Sequence, residues 1–492
     1  MIRINYKIVF KVVGLLVFIL GLFLLLPCLL TFALEDVTVK PFLLSSCIAL
    51  IFGTALFTMK VPMKEIKKRE GYLIVALGWL FLCLFGALPY IMCPSTSTNI
   101  VISDAIFEST SGFTTTGATI FNDIESLHPT FLLWRSLTQW IGGMGIIVFT
   151  IAIFPILGIG GVELFVAESP GPTANKIHPR IKEVAKRLWL IYVGLTSVLM
   201  LILHYFSKMN WFDAINHAMT TMSTGGFSTK NASIAHFDSP MVEYPIILFM
   251  LIGGINYTVL YYFFKGKLKR AWSSEELKFY FSILFVVIAL ISAILICNGI
   301  YGFETSIRTA AFQVISLVTT TGFVTADYTS WTPSTEVICF FLLFVGACAG
   351  STSGGIKMIR HLVFFKTTIL EFKRILHPRE FIRMKIDGEV VASRILMHIL
   401  VFLLFYLILF GIGVFVMSFF MVDDPTPFKS SLGAIATALG NVGPSIGSLG
   451  PVDNFASLSS GAKLFLSVFM VIGRLEIFTI LIILTPYFWR IK

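Results

Sequence analysis

The chain has 492 residues, 56% of them hydrophobic and 13% charged, with a mean hydropathy of +0.88. That balance excludes a water-soluble globular domain and makes lipid the solvent for most of the chain. A formal charge of +10 would suit nucleic acid, but no basic stripe with interleaved aromatics occurs outside the loops between apolar runs, so nucleic acid is not an expected partner.

A helix that crosses the hydrocarbon core needs about 20 apolar residues. Ten runs qualify: 12–34, 41–59, 71–93, 136–162, 188–206, 244–264, 279–303, 337–365, 395–422 and 464–489. The first is longer than the apolar region of a signal peptide and lacks a small-residue cleavage site, so it is retained as a span. Every second loop is basic, holding Lys60 to Arg69, Lys176 to Arg187, Lys265 to Arg270, and Lys366 to Lys385. The alternate loops carry acids instead, among them Asp123, Glu125, Asp238, Glu243, Asp327, Asp423 and Asp424. Retention of basic residues on the inner side then orients the set, with both termini in the cytoplasm.

Four outer loops contain a moderately apolar stretch of roughly a dozen residues, half of what a span needs. Each ends in glycine and hydroxyl residues: Ser111 to Thr119 (SGFTTTGAT), Met222 to Thr229 (MSTGGFST), Leu317 to Thr325 (LVTTTGFVT) and Ala438 to Ser445 (ALGNVGPS). Backbone that leaves helical geometry at membrane depth survives only inside protein or along a watery cavity, so four re-entrant half-helices predict a shared cavity. The expected fold is an all-α membrane protein with four helix, pore-loop, helix repeats around a central pore. The repeats fall at 71–170, 171–270, 271–385 and 386–492, after an extra pair of transmembrane helices at 1–70.

The Gly-Phe-x-Thr shared by the second and third copies sets the register and makes Gly117, Gly226, Gly322 and Gly443 equivalent. One Thr-Thr-Gly run is an ordinary helix-packing element; four on one side, each after a half-helix and before a span, point to one function. A dehydrated cation must be offered oxygens in place of water, and a ring of backbone carbonyls does this without burying fixed charge. Glycine permits the backbone angles such a ring requires. Thr114, Thr115, Thr116, Ser223, Thr224, Thr319, Thr320 and Thr321 add hydroxyls before the glycines, with Gly225 an additional glycine in the second copy and Asn441 and Val442 in the fourth. Half-helix carboxyl ends, each carrying about half a negative charge, favour a cation at the centre.

The run 337–365 is interrupted by Gly346, Gly350, Ser351, Thr352, Ser353, Gly354, Gly355 and Lys357, which make a continuous helix unfavourable and place a break at membrane depth. It is not a phosphate-cradling loop, because the spacing that requires Gly-Lys has Gly355-Ile356. Arg474 stands about 15 Å into the last span, where a guanidinium needs a pore or a polar partner; Glu476, two residues on, points elsewhere. The seven cysteines and scattered histidines read as packing residues, and no HExxH, GxSxG or paired intramembrane aspartates mark an enzyme. A cation-coupled secondary transporter is the alternative, and it predicts inverted rather than like-oriented repeats.

The first loop SGFTTTGAT, Trp211 to Ile215, the segment Gly346 to Lys357 and the late arginine resemble the Trk/Ktr/HKT superfamily of potassium transporters, in particular its TrkH type, over essentially the whole chain. The resemblance implies potassium as the transported ion, held at Thr115, Thr116, Thr224, Gly225, Thr320, Thr321, Asn441 and Val442. It implies a gate made by the intramembrane segment with Arg474, a homodimer with a pore in each subunit, and a bacterial inner-membrane location. Relatives that admit sodium commonly have serine at the first glycine, so Gly117 implies potassium. The resemblance further implies a cytosolic nucleotide-binding ring of the TrkA type, which would bring ATP or NAD control only through that partner. The basic inner loops are expected to hold anionic membrane lipids.

Overall fold

The computed structural model describes residues 4–33, 39–60, 66–93, 100–145, 181–380 and 383–490. Among the described residues the regular secondary structure is helical apart from a hairpin pairing Lys385–Ile386 with Glu389–Val390 and an isolated bridge. Among the described residues, six helices are long and apolar enough to cross a membrane: Tyr6–Leu29, Lys40–Phe57, Lys68–Ile91, Lys186–Tyr205, Glu275–Cys297 and Ser393–Phe420. The first two lie close because small residues face each other; a Cβ at Gly53 would meet the backbone nitrogen of Phe18 at 2.5 Å.

Two expected spans are not straight. Run 244–264 is a helix Pro240–Gly253 bent by 107° into Tyr257–Phe264, and run 464–489 is Ser460–Arg474 bent by 110° into Phe478–Leu484. The second bend passes through Glu476 and Ile477 with φ of 52° and 57°, left-handed geometry that is sterically costly for a β-branched residue. Run 337–365 divides into Pro333–Leu342 and Met358–Leu376 with an irregular segment between. Run 136–162 begins within the helix Pro129–Gly143, and its part beyond residue 145 lies outside the described residues.

The four short segments form helices Ile102–Phe113, Trp211–Met222, Phe303–Val318 and Pro427–Gly440. Their starts follow local chemistry. Asn210 accepts from the Asp213 amide, acids occupy the first turn at Asp104, Asp213 and Glu304, and Pro427 stands where no amide partner is needed. The apolar core forms two large masses. One gathers the N-terminal helices with the first and last short helices; the other gathers residues from Tyr192 to Met358. The ends of the short helices meet where these masses join.

Candidate functional site

All four short helices stop in the same way. The amide two residues past each last turn turns back five positions, Thr116 to the Ser111 carbonyl and Gly225 to Thr220 at 2.9 Å, Thr321 to Ser316 at 2.8 Å, and Val442 to Thr437 at 3.1 Å. This is the Schellman ending, whose left-handed residue is ordinarily glycine. Here it is Thr115, Thr224, Thr320 and Asn441, at φ of 53°, 52°, 54° and 53°. A threonine held in that region costs on the order of 1–3 kcal/mol, a strain that persists only where the surroundings over-determine it. Two residues later Gly117, Gly226, Gly322 and Gly443 return to positive φ, 83°, 78°, 80° and 100°.

The loops close on one another. A Cβ at Gly117 would run into the Gly225 carbonyl oxygen, one at Gly226 into that of Thr321, one at Gly322 into that of Val442, and one at Gly443 would lie 2.6 Å from that of Thr116. The four carbonyls and four glycines thus form a cycle through all four loops. The same glycines line one cavity of ≈ 80 Å³ with Arg135, Lys230 and Asp453 at its rim.

Side chains hold each ascending limb from behind. Glu108 accepts from the Ile120 amide at 3.0 Å and the Thr119 hydroxyl at 3.1 Å. His217 Nε2 meets the Ser228 hydroxyl at 2.9 Å, Gln313 donates to the Ala326 carbonyl at 3.1 Å, and Tyr328 donates to the Ser445 carbonyl at 2.7 Å. Arg135, buried in the next helix, pairs with Glu108 at 2.8 Å, donates to the Ser228 carbonyl at 3.0 Å and lies 4.1 Å from the Phe227 ring centre. One buried ion pair therefore braces two loops.

On the opposite side, the segment between Leu342 and Met358 crosses directly under the ring. Thr352 meets the Thr224 hydroxyl at 3.2 Å and the Met222 and Gly253 carbonyls at 3.2 and 3.3 Å, while the Gly354 amide donates to the Thr320 hydroxyl at 2.7 Å. Arg474 donates to the Thr352 carbonyl at 2.9 Å and to those of Gly142 and Gly143 at 2.5 and 3.1 Å. Ser351 and Ser353 share a hydroxyl contact at 2.9 Å, and Lys357 turns back onto the Ser353 carbonyl. Gly346 pairs with the Ile356 carbonyl at 2.9 Å, and Gly350 and Gly355 adopt φ of 75° and 66°. Every residue singled out in this segment lies in or beside it, and Arg474 reaches it from the last span. Glu476 bonds Arg360 instead.

Among the described residues, nothing hydrogen-bonds the buried Thr115 hydroxyl or the buried Asn441 side-chain carbonyl at the ring's inner mouth. Sequence reasoning missed Glu108, Arg135, Gln139 and Glu276. The Glu276 carboxylate accepts from the amides of Ala349 at 2.7 Å and Ile359 at 3.1 Å, gripping both ends of the segment. A signal for two of them existed, since Arg135 and Gln139 stand one turn apart on one face of the helix Pro129–Gly143.

A multi-pass, all-helical membrane protein whose half-helix ends converge on a cycle of backbone carbonyls belongs to the class of transport proteins. The TrkH family model, described as a cation transport protein, matches residues 39–488. The Trk system potassium uptake protein TrkH of Escherichia coli (strain K12) is 40% identical over 490 residues, 99% of this chain and all of that protein. The Trk system potassium uptake protein TrkG of the same strain is 32% identical, over 99% of each chain. The crystal structure of the potassium transporter TrkH from Vibrio parahaemolyticus superposes with a TM-score of 0.88 at 34% identity, covering 99% of this chain and all of that one. The chain belongs to the TrkH family of cation transport proteins.

Two outcomes follow from the bracing. Arg135→Met leaves the buried Glu108 uncompensated and is expected to cost about 3–5 kcal/mol, whereas Glu108→Gln with Arg135→Met recovers most of that loss; unfolding midpoints in detergent measure the difference. In the outer loops, the Asn231 amide holds the Asp123 carboxyl below its ordinary 3.8. A depressed carboxyl contributes stability above its unfolded value and loses it as pH falls through the folded one. The loop tie is therefore expected to weaken in the wild type as pH falls through the lowered Asp123 value and to be absent across the whole range in Asn231→Ala, as read by limited proteolysis from neutral pH into acid.

Proposed function

We propose that this chain takes up potassium through a selective, channel-like pathway whose filter is the ring of four loops and whose gate is the segment Gly346 to Lys357 with Arg474. The observation that carries the reading is the cycle of Thr116, Gly225, Thr321 and Val442 carbonyls, each seated on the neighbouring loop's glycine. Potassium is large and weakly hydrated, and a ring of uncharged oxygens can replace its water. The buried hydroxyl of Thr115 and side-chain carbonyl of Asn441 add oxygens below, beside Thr224 and Thr320. The similar proteins of Escherichia coli and Vibrio parahaemolyticus are named for potassium.

The pathway is built from four repeats after an N-terminal helix pair, in a bacterial inner membrane with both termini cytoplasmic, and the chain functions as a homodimer. Control comes from a cytosolic TrkA-like nucleotide-binding ring, with anionic lipid on the basic loops. A mechanical route supports control from that side. The Asp387 carboxylate of the basic-loop hairpin accepts from the Glu275 amide at 2.7 Å, and Lys366 bridges Glu275 to the Lys385 carbonyl. The next residue, Glu276, grips both ends of the gate segment.

Rubidium-86 uptake into potassium-loaded liposomes tests the reading. Uptake should be blocked by external potassium and not by sodium. Gly117→Ser, which puts a side chain at φ 83° against the Gly225 carbonyl, should lose that discrimination. Uptake indifferent to the substitution moves the permeation path elsewhere. For the gate, Arg474→Ala and Glu276→Ala should each raise flux with potassium preference intact, while Glu276→Gln, which keeps an acceptor oxygen, stays near wild type. Unchanged flux in both alanine variants argues against the gate.

A further inference from the structure

The second loop breaks the pattern of its neighbours. Where the first and third carry Thr116 and Thr321, it has Gly225. In those two loops the hydroxyl at this position buttresses the turn, Thr116 against Thr114 and Thr321 against Thr319, both at 2.8 Å. In the fourth loop Asn441 donates to the Thr116 hydroxyl at 3.0 Å. The second loop has no side chain at this position, and its Ser223 and Thr224 hydroxyls bond within their own turn or to the segment below.

Its place is taken from outside the loop. A Cβ at Gly225 would meet three atoms of one residue, the Cδ, Oε1 and Cγ of Gln139. That side chain is fully buried. Its Nε2 donates to the Gly225 carbonyl at 2.6 Å, and its Oε1 accepts from the Phe227 amide at 3.0 Å. A backbone amide can only donate, so the Phe227 contact fixes which end of the carboxamide faces Gly225. The Gly225 carbonyl is one of the four in the ring, the one seated on Gly117. Among the described residues it is the only ring carbonyl that accepts from a side-chain donor.

We infer that Gln139 is the positioning residue of the second filter loop: its carboxamide substitutes in trans for the missing threonine and sets the direction and field strength of the Gly225 carbonyl, and so the discrimination between potassium and smaller cations. The inference rests on the filter reading above. Arg135, one turn earlier, holds the Ser228 carbonyl of the same loop, so one helix face of the first repeat supports both limbs of the second loop. The spare donor makes the Gly225 carbonyl a weaker ligand than its three counterparts, and the ring electrically unequal.

The test is rubidium-86 uptake into potassium-loaded liposomes, competed by external potassium or sodium, for four proteins: wild type, Gln139→Met, Gly225→Thr, and Gln139→Ala combined with Gly225→Thr. Gln139→Met keeps the volume and removes both hydrogen bonds. It should let sodium compete, shifting the ratio of half-blocking concentrations by about tenfold, the factor one lost hydrogen bond corresponds to. Gly225→Thr alone should lose flux through collision with Gln139. The double variant removes the colliding atoms and restores a Thr-Thr-Gly turn, so it should regain flux and potassium preference. A merely structural Gln139 would lower the thermal midpoint and flux in Gln139→Met with the ratio unchanged, and that result overturns the inference. So does a double variant no better than Gly225→Thr while still folded by size exclusion. A wild type without potassium preference overturns the filter reading itself, and the inference with it.

Discussion

Four loops at membrane depth must satisfy and stabilise backbone that is neither helix nor sheet, and they do so by closing on one another. Each loop's carbonyl rests where the preceding loop's glycine has no side chain, so no single loop has its geometry alone. The constraint propagates outward. Left-handed threonines at 115, 224 and 320 are unfavourable residues for that conformation, and each is tolerated because hydrogen bonds from behind, above and below leave it no alternative. The side chains at those positions have a use that glycine could not supply. Two of them, Thr224 and Thr320, touch the segment beneath.

The pattern of half-helices, their shared glycines and the break in run 337–365 could be read from the sequence because they are local. Apolar run length marks spans, and positive-φ glycine sits at a fixed distance from a helix end. What was hidden depends on partners far along the chain. Arg135 pairs with Glu108, 27 residues away, and Gln139 serves Gly225, 86 residues away; neither side chain announces its target. Glu276 stands at the start of an apolar helix, where an acid is expected for its dipole alone, yet it binds amides 73 and 83 residues on. The bends at residues 254–256 and 475–477 escaped notice because hydropathy does not register direction.

The additional glycine in the second loop illustrates the difference. As sequence it is a departure from Thr-Thr-Gly with no cause. In three dimensions the space a side chain at 225 would need is filled by Gln139, which bonds the Gly225 carbonyl and the Phe227 amide. Repeat proteins that diverge from a common unit are free to move a function from a loop to a neighbouring helix, provided the same atoms are supported. Pseudo-symmetry of the backbone therefore coexists with asymmetry of the side chains.

Ring and segment differ in how they are held, and this difference decides which of them can move. The ring is fixed by its own backbone turns, by mutual packing and by a buried ion pair whose rupture would leave charge in a low-dielectric interior. The segment beneath is held largely by hydroxyls, by one carboxylate at its ends and by the Arg474 guanidinium on the Thr352 carbonyl. The hydroxyl bonds contribute about 0.5–1.5 kcal/mol net each and those to the carboxylate and guanidinium about 1.5–3 kcal/mol, and water can replace them. A segment so held can be released in steps while the ring above keeps its shape. On the proposed reading, selectivity and gating are then separable in energy although their atoms touch, because Thr224 and Thr320 lend the segment only side-chain atoms.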